Sequence, residues 1–265
     1  MIEEKAVIKE TMCVAMPQDP ELFIAALVVM DKYIAQLKTK NVEVTARLMD
    51  VRPDMQFLLQ DREWIFSVEE LDDLYMYADD FKFIFDEKIA YRISEKTKKH
   101  AVEAFSIMLG VDARDSIFPD IKEEYRLHTP SYDILCISSP HADYSDLKSY
   151  VAKTPIQESL FVINQGDNSI EDMFKYMMDF KTIIGDRSVY TYLACALGKT
   201  VIENYRYTTH PNWLTKWGHE HYFRVFDVDP EGMLNQATLI ECLERNKLMT
   251  HVNPELPAGP DHCKV

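Results

Sequence analysis

The sequence is short of glycine, of paired cysteines and of long apolar runs. Seven glycines in 265 residues argue against a loop-rich or glycine-rich barrel fold. The five cysteines are odd in number and form no Cys-x-x-Cys pair, so neither a disulfide framework nor a zinc ribbon is expected. No run approaches the roughly 18 apolar residues of a membrane helix. The opening residues, MIEEKAVIKE, lack the apolar core of a signal peptide. These absences together predict a cytoplasmic protein without a membrane span. The phosphate-loop pattern G-x-x-x-x-G-K-[ST] is missing, as is a G-x-G-x-x-G turn after the first strand, so P-loop enzymes and dinucleotide oxidoreductases drop out.

The net charge is −15. A chain this acidic repels a polyanion unless it hides a basic groove, which argues against nucleic acid as a partner. Apolar residues make up 47% and charged residues 28%, the balance of a globular chain with a sizeable core.

Strand-like and helix-like stretches alternate. Ala6–Ala15 reads as a strand, Glu21–Leu37 as a partly buried helix, Asn41–Met49 as a strand and Arg52–Gln60 as a short helix. Trp64–Val68 and Phe81–Phe85 read as further strands, and Glu95–Leu109 as a helix closed by Gly110. A Pro-containing crossing spans 111–130. A second series follows: strand Tyr132–Ile137, helix Tyr144–Val151, strand Leu160–Asn164, helix Ser169–Phe180, strand Thr182–Ile184, helix Ser188–Leu197 and strand Thr200–Glu203. Phe223–Val228 is short and apolar, and Pro230–Asn246 reads as a last helix. Such alternation implies mainly parallel sheets in doubly wound lobes. The expected fold is α/β, with two Rossmann-like lobes over 1–125 and 126–250 and a flexible tail over 251–265. Ligands in this architecture sit beyond the carboxyl ends of strands, so strand-end loops hold the candidate residues.

The stretch from Thr182 to Tyr205 stands out. An apolar strand ends at Gly185, Asp186-Arg187-Ser188 make a tight polar turn, and a helix rich in small residues begins at Val189. A helix start offers unpaired N–H groups and partial positive charge to a phosphate or carboxylate. Ser188 is a natural cap for that helix. An ordinary strand–helix–strand unit with capping residues accounts for the same pattern.

The residues G-D-R-S-V-Y-T-Y-L-A-C-A-L-G-K-T-V-I, Gly185–Ile202, resemble a hallmark of the ADP-heptose:lipopolysaccharide heptosyltransferases and related GT-B glycosyltransferases, close to G-N-D-S-G-P-M-H-L-A-A-A-L-G-K-P-V-V. Gly185, Ser188, Leu193, Ala194, Ala196, Leu197, Gly198 and Lys199 match. Ser169–Phe180 is similar to the family's Ser-Leu-x-Glu-Leu helix, Lys99–Pro119 to its passage between lobes, and Gln18–Leu27 to its segment after strand one. The hallmark histidine is Tyr192 here, and its second glycine and its proline are Val189 and Tyr190. One strand–helix unit of the family is absent between Lys148 and Ser169.

The resemblance implies a two-lobed GT-B-like fold and an inverting, metal-independent sugar transfer. The co-substrate is then a nucleotide-sugar, with no other cofactor, and the acceptor is unidentified. It puts the acceptor on the N-terminal lobe and the donor on the C-terminal lobe. It implies Asp19 as the base, and donor contacts from Ser138, Lys148, Asp186, Arg187, Ser188, Val189 and Tyr192. Closure of the lobes would exclude water. Plainer readings stand beside these: Asp19 as a helix cap, Lys148 as a solvated lysine, Arg187 as a partner of Asp186, and Tyr192 as a packing residue. The aromatic, His-rich loop 205–222 adds Arg206 and His210 as ligand contacts just beyond a strand end, or else forms a lid over the core. Two other functions compete: a GT-B-fold protein that binds a nucleotide or sugar without catalysis, and a phage-type DNA-base glycosyltransferase.

Overall fold

The computed structural model describes residues 7–69, 81–85, 87–97, 99–118, 132–139, 160–205 and 222–226. They fall into two compact units, the described residues up to 118 in the first and those at 132–139, 160–205 and 222–226 in the second. The expected helices 144–151 and 230–246 lie outside the described residues.

In the first unit, alternation of apolar and polar residues favours strands, and in Val42–Met49 it buries Val44, Ala46 and Leu48. The strands are β1 (Ile8–Ala15), β2 (Val42–Met49), β3 (Ile65–Glu69) and β4 (Phe81–Ile84), in the order β3-β2-β1-β4. Every pairing is parallel, with Ile8 opposite Val42 and Ala15 opposite Met49. Helix α1 (Pro20–Lys38) joins β1 to β2. Its residues Leu22 to Asp31 are all buried, as the all-round apolar composition of that half predicts. A 3-10 helix (Pro53–Leu59) follows β2, with proline at its start where no hydrogen bond is lost.

The single helix expected over 95–109 is two helices. Helix α2 spans Glu87–Thr97 and helix α3 spans Ala101–Leu109. His100 separates them: it is extended, buried, and its Nδ1 accepts from the Val102 N–H at 3.3 Å. A histidine cap is not among the Ser, Thr, Asp and Asn signals that mark helix starts, and the lysines around it are good helix formers. The local sequence pattern therefore continues through the break. Gly110 closes α3 with φ 65°, as its position predicts.

The second unit has strands β5 (Tyr132–Ser138), β6 (Leu160–Asn164), β7 (Phe180–Asp186), β8 (Thr200–Tyr205) and β9 (Tyr222–Phe226), ordered β6-β5-β7-β8-β9 and all parallel. Helix α4 (Ile170–Met178) is capped by Ser169, whose Oγ accepts from the Asp172 N–H at 3.0 Å. Helix α5 (Val189–Ala196) joins β7 to β8. Strand β7 is longer than expected and α4 shorter, because Asp179 alone separates them. With mainly parallel sheets and alternating helices in both units, the chain is an α/β protein of Rossmann-like lobes.

A buried ion pair ties the first unit together. Asp31 on α1 accepts from Arg62 Nη2 at 2.8 Å and Nε at 3.0 Å, and from Trp64 Nε1 at 2.9 Å. Arg62 also donates to the Leu58 carbonyl and lies 4.7 Å over the Phe118 ring. Only 5% and 3% of the two charged side chains, Arg62 and Asp31, are exposed. Breaking such a pair leaves one charge buried alone, at a cost of roughly 3–5 kcal/mol. Asp31→Leu is expected to lower the unfolding free energy, read from denaturant titration, by roughly 3–5 kcal/mol. Asp31→Leu combined with Arg62→Met is expected to lose less than the single change; an equal or larger loss in the double variant would contradict this account of the pair.

Candidate functional site

Sheet order places the candidate residues. In each unit the chain winds outward from a central strand and then reverses. The reversal falls between β1 and β4 in the first unit and between β5 and β7 in the second. In open α/β sheets ligands bind beyond the carboxyl ends of the strands at such a reversal, so the residues there are the candidates.

At the end of β1 the turn Met16-Pro17-Gln18-Asp19 leads into α1. Asp19 caps that helix, its Oδ1 accepting from the Leu22 N–H at 3.0 Å. Glu87, the first residue of α2, accepts from the N–H of Gln18 at 2.8 Å and of Asp19 at 2.7 Å through Oε1. Gln18 Nε2 donates to the Asp50 carbonyl, and Arg52 Nη1 donates to the Gln18 carbonyl at 3.2 Å. Arg52 is itself clamped on Asp54 at 2.9 and 2.7 Å. That hydrogen bond holds the Asp54 carboxyl below its ordinary value and raises the Arg52 guanidinium. Asp19 was expected here; Glu87 and Arg52 were not. Glu87 escaped because its helix was not read from the sequence, and because it acts from 68 residues away on backbone N–H groups.

At the end of β5 and β7 lie Ser138, Ser139, Asp186, Arg187 and Ser188. Ser138 is buried, and its carbonyl accepts from the Gln165 N–H. The neighbouring Ser139 donates to the Asp186 carboxylate, bridging the two strands at the reversal. Ser139 was not among the expected residues; one position separates it from Ser138. Arg187 Nη2 donates to the Tyr192 hydroxyl at 3.2 Å, and its guanidinium carbon lies 5.6 Å from the Tyr192 ring centre. Tyr192 is 3% exposed, so it packs and holds Arg187. Ser188 begins α5, its N–H donating to Thr191 Oγ1 at 3.0 Å. No hydrogen bond from a described residue reaches the N–H groups of Val189 and Tyr190. Burial raises the Tyr190 hydroxyl above its ordinary value. Lys148, Arg206 and His210 lie outside the described residues.

The hallmark matches that follow serve the fold. Leu193, Ala194 and Ala196 are buried on α5. Gly198, at φ 70°, closes that helix: its N–H reaches the Cys195 carbonyl and the Lys199 N–H reaches the Ala194 carbonyl, both at 3.0 Å. Lys199 Nζ donates to the carbonyls of Met178 at 3.1 Å and Phe180 at 3.0 Å. It thereby satisfies groups stranded by the abrupt passage from α4 to β7. A methyl group at Gly185 would lie 3.5 Å from Ile137 and 3.6 Å from Thr191, ordinary contact distances.

Among the described residues no group of three His, Cys, Asp or Glu side chains is placed to hold a metal ion, and no helix is long and apolar enough to cross a membrane. Asp227 and Asp229 follow β9 in the sequence at a D-x-D spacing, which suits a divalent cation; both lie outside the described residues.

Several glycosyltransferases of solved structure share this fold. The chain matches the E. coli heptosyltransferase WaaC with ADP at TM-score 0.57 and 10% identity, over 89% of this chain and 100% of that one. It matches the glycosyl transferase family 9 protein of Veillonella parvula DSM 2008 at TM-score 0.58 and 9% identity, over 92% and 99%. For the E. coli ADP-heptose lps heptosyltransferase II the values are 0.57 and 10%, over 92% and 100%. No family model and no curated protein matches the chain. The chain therefore has the GT-B-like fold of these enzymes, and the resemblance of its 185–202 segment is to the same group.

Lys199 separates fold from chemistry. Burial lowers its ammonium below the ordinary lysine value. Between the folded and the ordinary value the unfolded chain binds more protons, so stability should rise with pH across that alkaline window. Lys199→Met should remove this rise and cost roughly 1–3 kcal/mol by leaving two carbonyls without a donor.

Proposed function

We propose that the chain is a glycosyltransferase that moves a sugar from a nucleotide-sugar to an acceptor hydroxyl with inversion. The observation that carries this is the difference between the two helix starts. The start of α1 is filled by the carboxylates of Asp19 and Glu87. The start of α5 keeps the Val189 and Tyr190 N–H groups for a ligand, beside Arg187. A diphosphate suits the second and not the first. Asp186, a carboxylate bonded by Ser139, suits sugar or ribose hydroxyls rather than phosphate. Lys148, Arg206 and His210 complete the proposed donor side. The E. coli WaaC structures with ADP and with ADP-2-deoxy-2-fluoro heptose support a nucleoside diphosphate donor.

In the proposed reaction the acceptor oxygen forms a bond to the anomeric carbon as the bond from that carbon to the diphosphate breaks. Asp19 takes the proton from the acceptor hydroxyl. The electron pair leaves on the diphosphate, where Arg187 and the α5 N–H groups stabilise the new charge. The use of Asp19 as a helix cap favours a second reading, binding without transfer.

Titration with ADP-heptose, UDP-glucose, UDP-N-acetylglucosamine and GDP-mannose, with donor hydrolysis followed in EDTA and in Mg²⁺, tests both. Binding and slow release of nucleoside diphosphate in EDTA are expected. Asp19→Asn should keep binding and lose turnover by about 10²–10⁴-fold. Equal loss of both would remove Asp19 from catalysis, and binding without turnover in the parent would leave the second reading.

A further inference from the structure

Glu87 does for Asp19 what a local residue normally does for a helix cap. In a capping box the residue three positions into the helix returns a bond to the backbone N–H of the cap. That position of α1 is Leu22, which is apolar and buried and cannot return it. Glu87 supplies the bond from another element. Its Oε1 takes the Asp19 N–H at 2.7 Å and the Gln18 N–H at 2.8 Å. The same turn is fixed from the β2 side by Gln18 Nε2 on the Asp50 carbonyl and by Arg52 on the Gln18 carbonyl. The backbone that carries Asp19 is thus held from both neighbouring strand ends, and its Oδ1 is committed to the Leu22 N–H. No described residue hydrogen-bonds to its Oδ2.

We propose that Glu87 is the positioning residue for Asp19. By completing the cap from α2 it fixes the turn so that the second carboxylate oxygen of Asp19 faces the acceptor hydroxyl. This rests on the reading of Asp19 as the base. A base must lie within hydrogen-bond reach of the proton it takes, and small misplacements of a reacting group are costly in rate. Helix stability alone does not demand Glu87, because Asp19 already caps α1 and Pro20, at its first position, has no N–H to satisfy.

The test compares Glu87→Ala, Glu87→Gln and Asp19→Asn in the full chain, with release of ADP from ADP-heptose and amide exchange as readouts. Glu87→Ala is expected to lower kcat by about 10- to 100-fold while KM for the donor stays within about twofold, since the donor is assigned to the second unit. Glu87→Gln keeps an acceptor oxygen at the same reach and should restore most of kcat. Exchange at the Gln18 and Asp19 amides should quicken in Glu87→Ala and not in Glu87→Gln. A merely structural role would lower stability without splitting kcat from KM. Unchanged kcat in Glu87→Ala, with Asp19→Asn inactive, overturns the positioning role and leaves the functional reading standing. No turnover by the parent chain overturns the functional reading and the positioning role together.

Discussion

Parallel pairing is the constraint from which the rest follows. Two parallel strands cannot be joined by a tight hairpin; each connection must cross a face of the sheet and start again at the same edge. All nine described strands obey this. The carboxyl ends of each sheet are therefore gathered on one edge. The reversals of winding beside β1 and between β5 and β7 choose which loops meet there. Asp19 meets Glu87, and Ser139 meets Asp186, because of strand order and not because of nearness in sequence.

The elements legible from sequence were those whose signals are local. The apolar alternation of β1 and β2, the all-round apolar half of α1 and the glycine after α3 each state their own geometry. The failures came where a distant group decides. The break at His100 depends on a histidine ring acting as a cap. The single-residue passage from α4 to β7 is tolerated because Lys199, about twenty residues on, donates to the carbonyls on either side of it. Likewise, the Asp31–Arg62 pair joins α1 to the segment before β3. Neither charge announces burial in its own neighbourhood of sequence.

The candidate site divides in the same way. The turn Asp186-Arg187-Ser188 and the helix after it were readable, because a strand followed by a capped helix is a local pattern. Which of its residues carry chemistry was not. The best-matched positions of the hallmark, from Leu193 to Lys199, pack α5 or close its end. They preserve a strand–helix–strand passage and report fold. The positions that differ, Arg187 and Tyr192 among them, are coupled to one another by a hydrogen bond and a ring contact. A changed pair of side chains can keep one local geometry while altering the charge that it presents. Sequence likeness is thus strongest where the segment is structural and weakest where a ligand would be sensed.

The two helix starts show how one fold can make two different places from one device. Each follows the carboxyl end of a strand beside the reversal in its sheet, and each offers N–H groups with partial positive charge. At α1 that charge is met by Asp19 from within and Glu87 from without. An added anion would have to displace a carboxylate that already holds two N–H groups. Before α5 the Asp186 carboxylate accepts from Ser139, and the cation Arg187 stands at the turn. The first arrangement suits a carboxylate that must stay in place to accept a proton. The second suits an anion that arrives and leaves, and that division of labour is what the proposed sugar transfer would require.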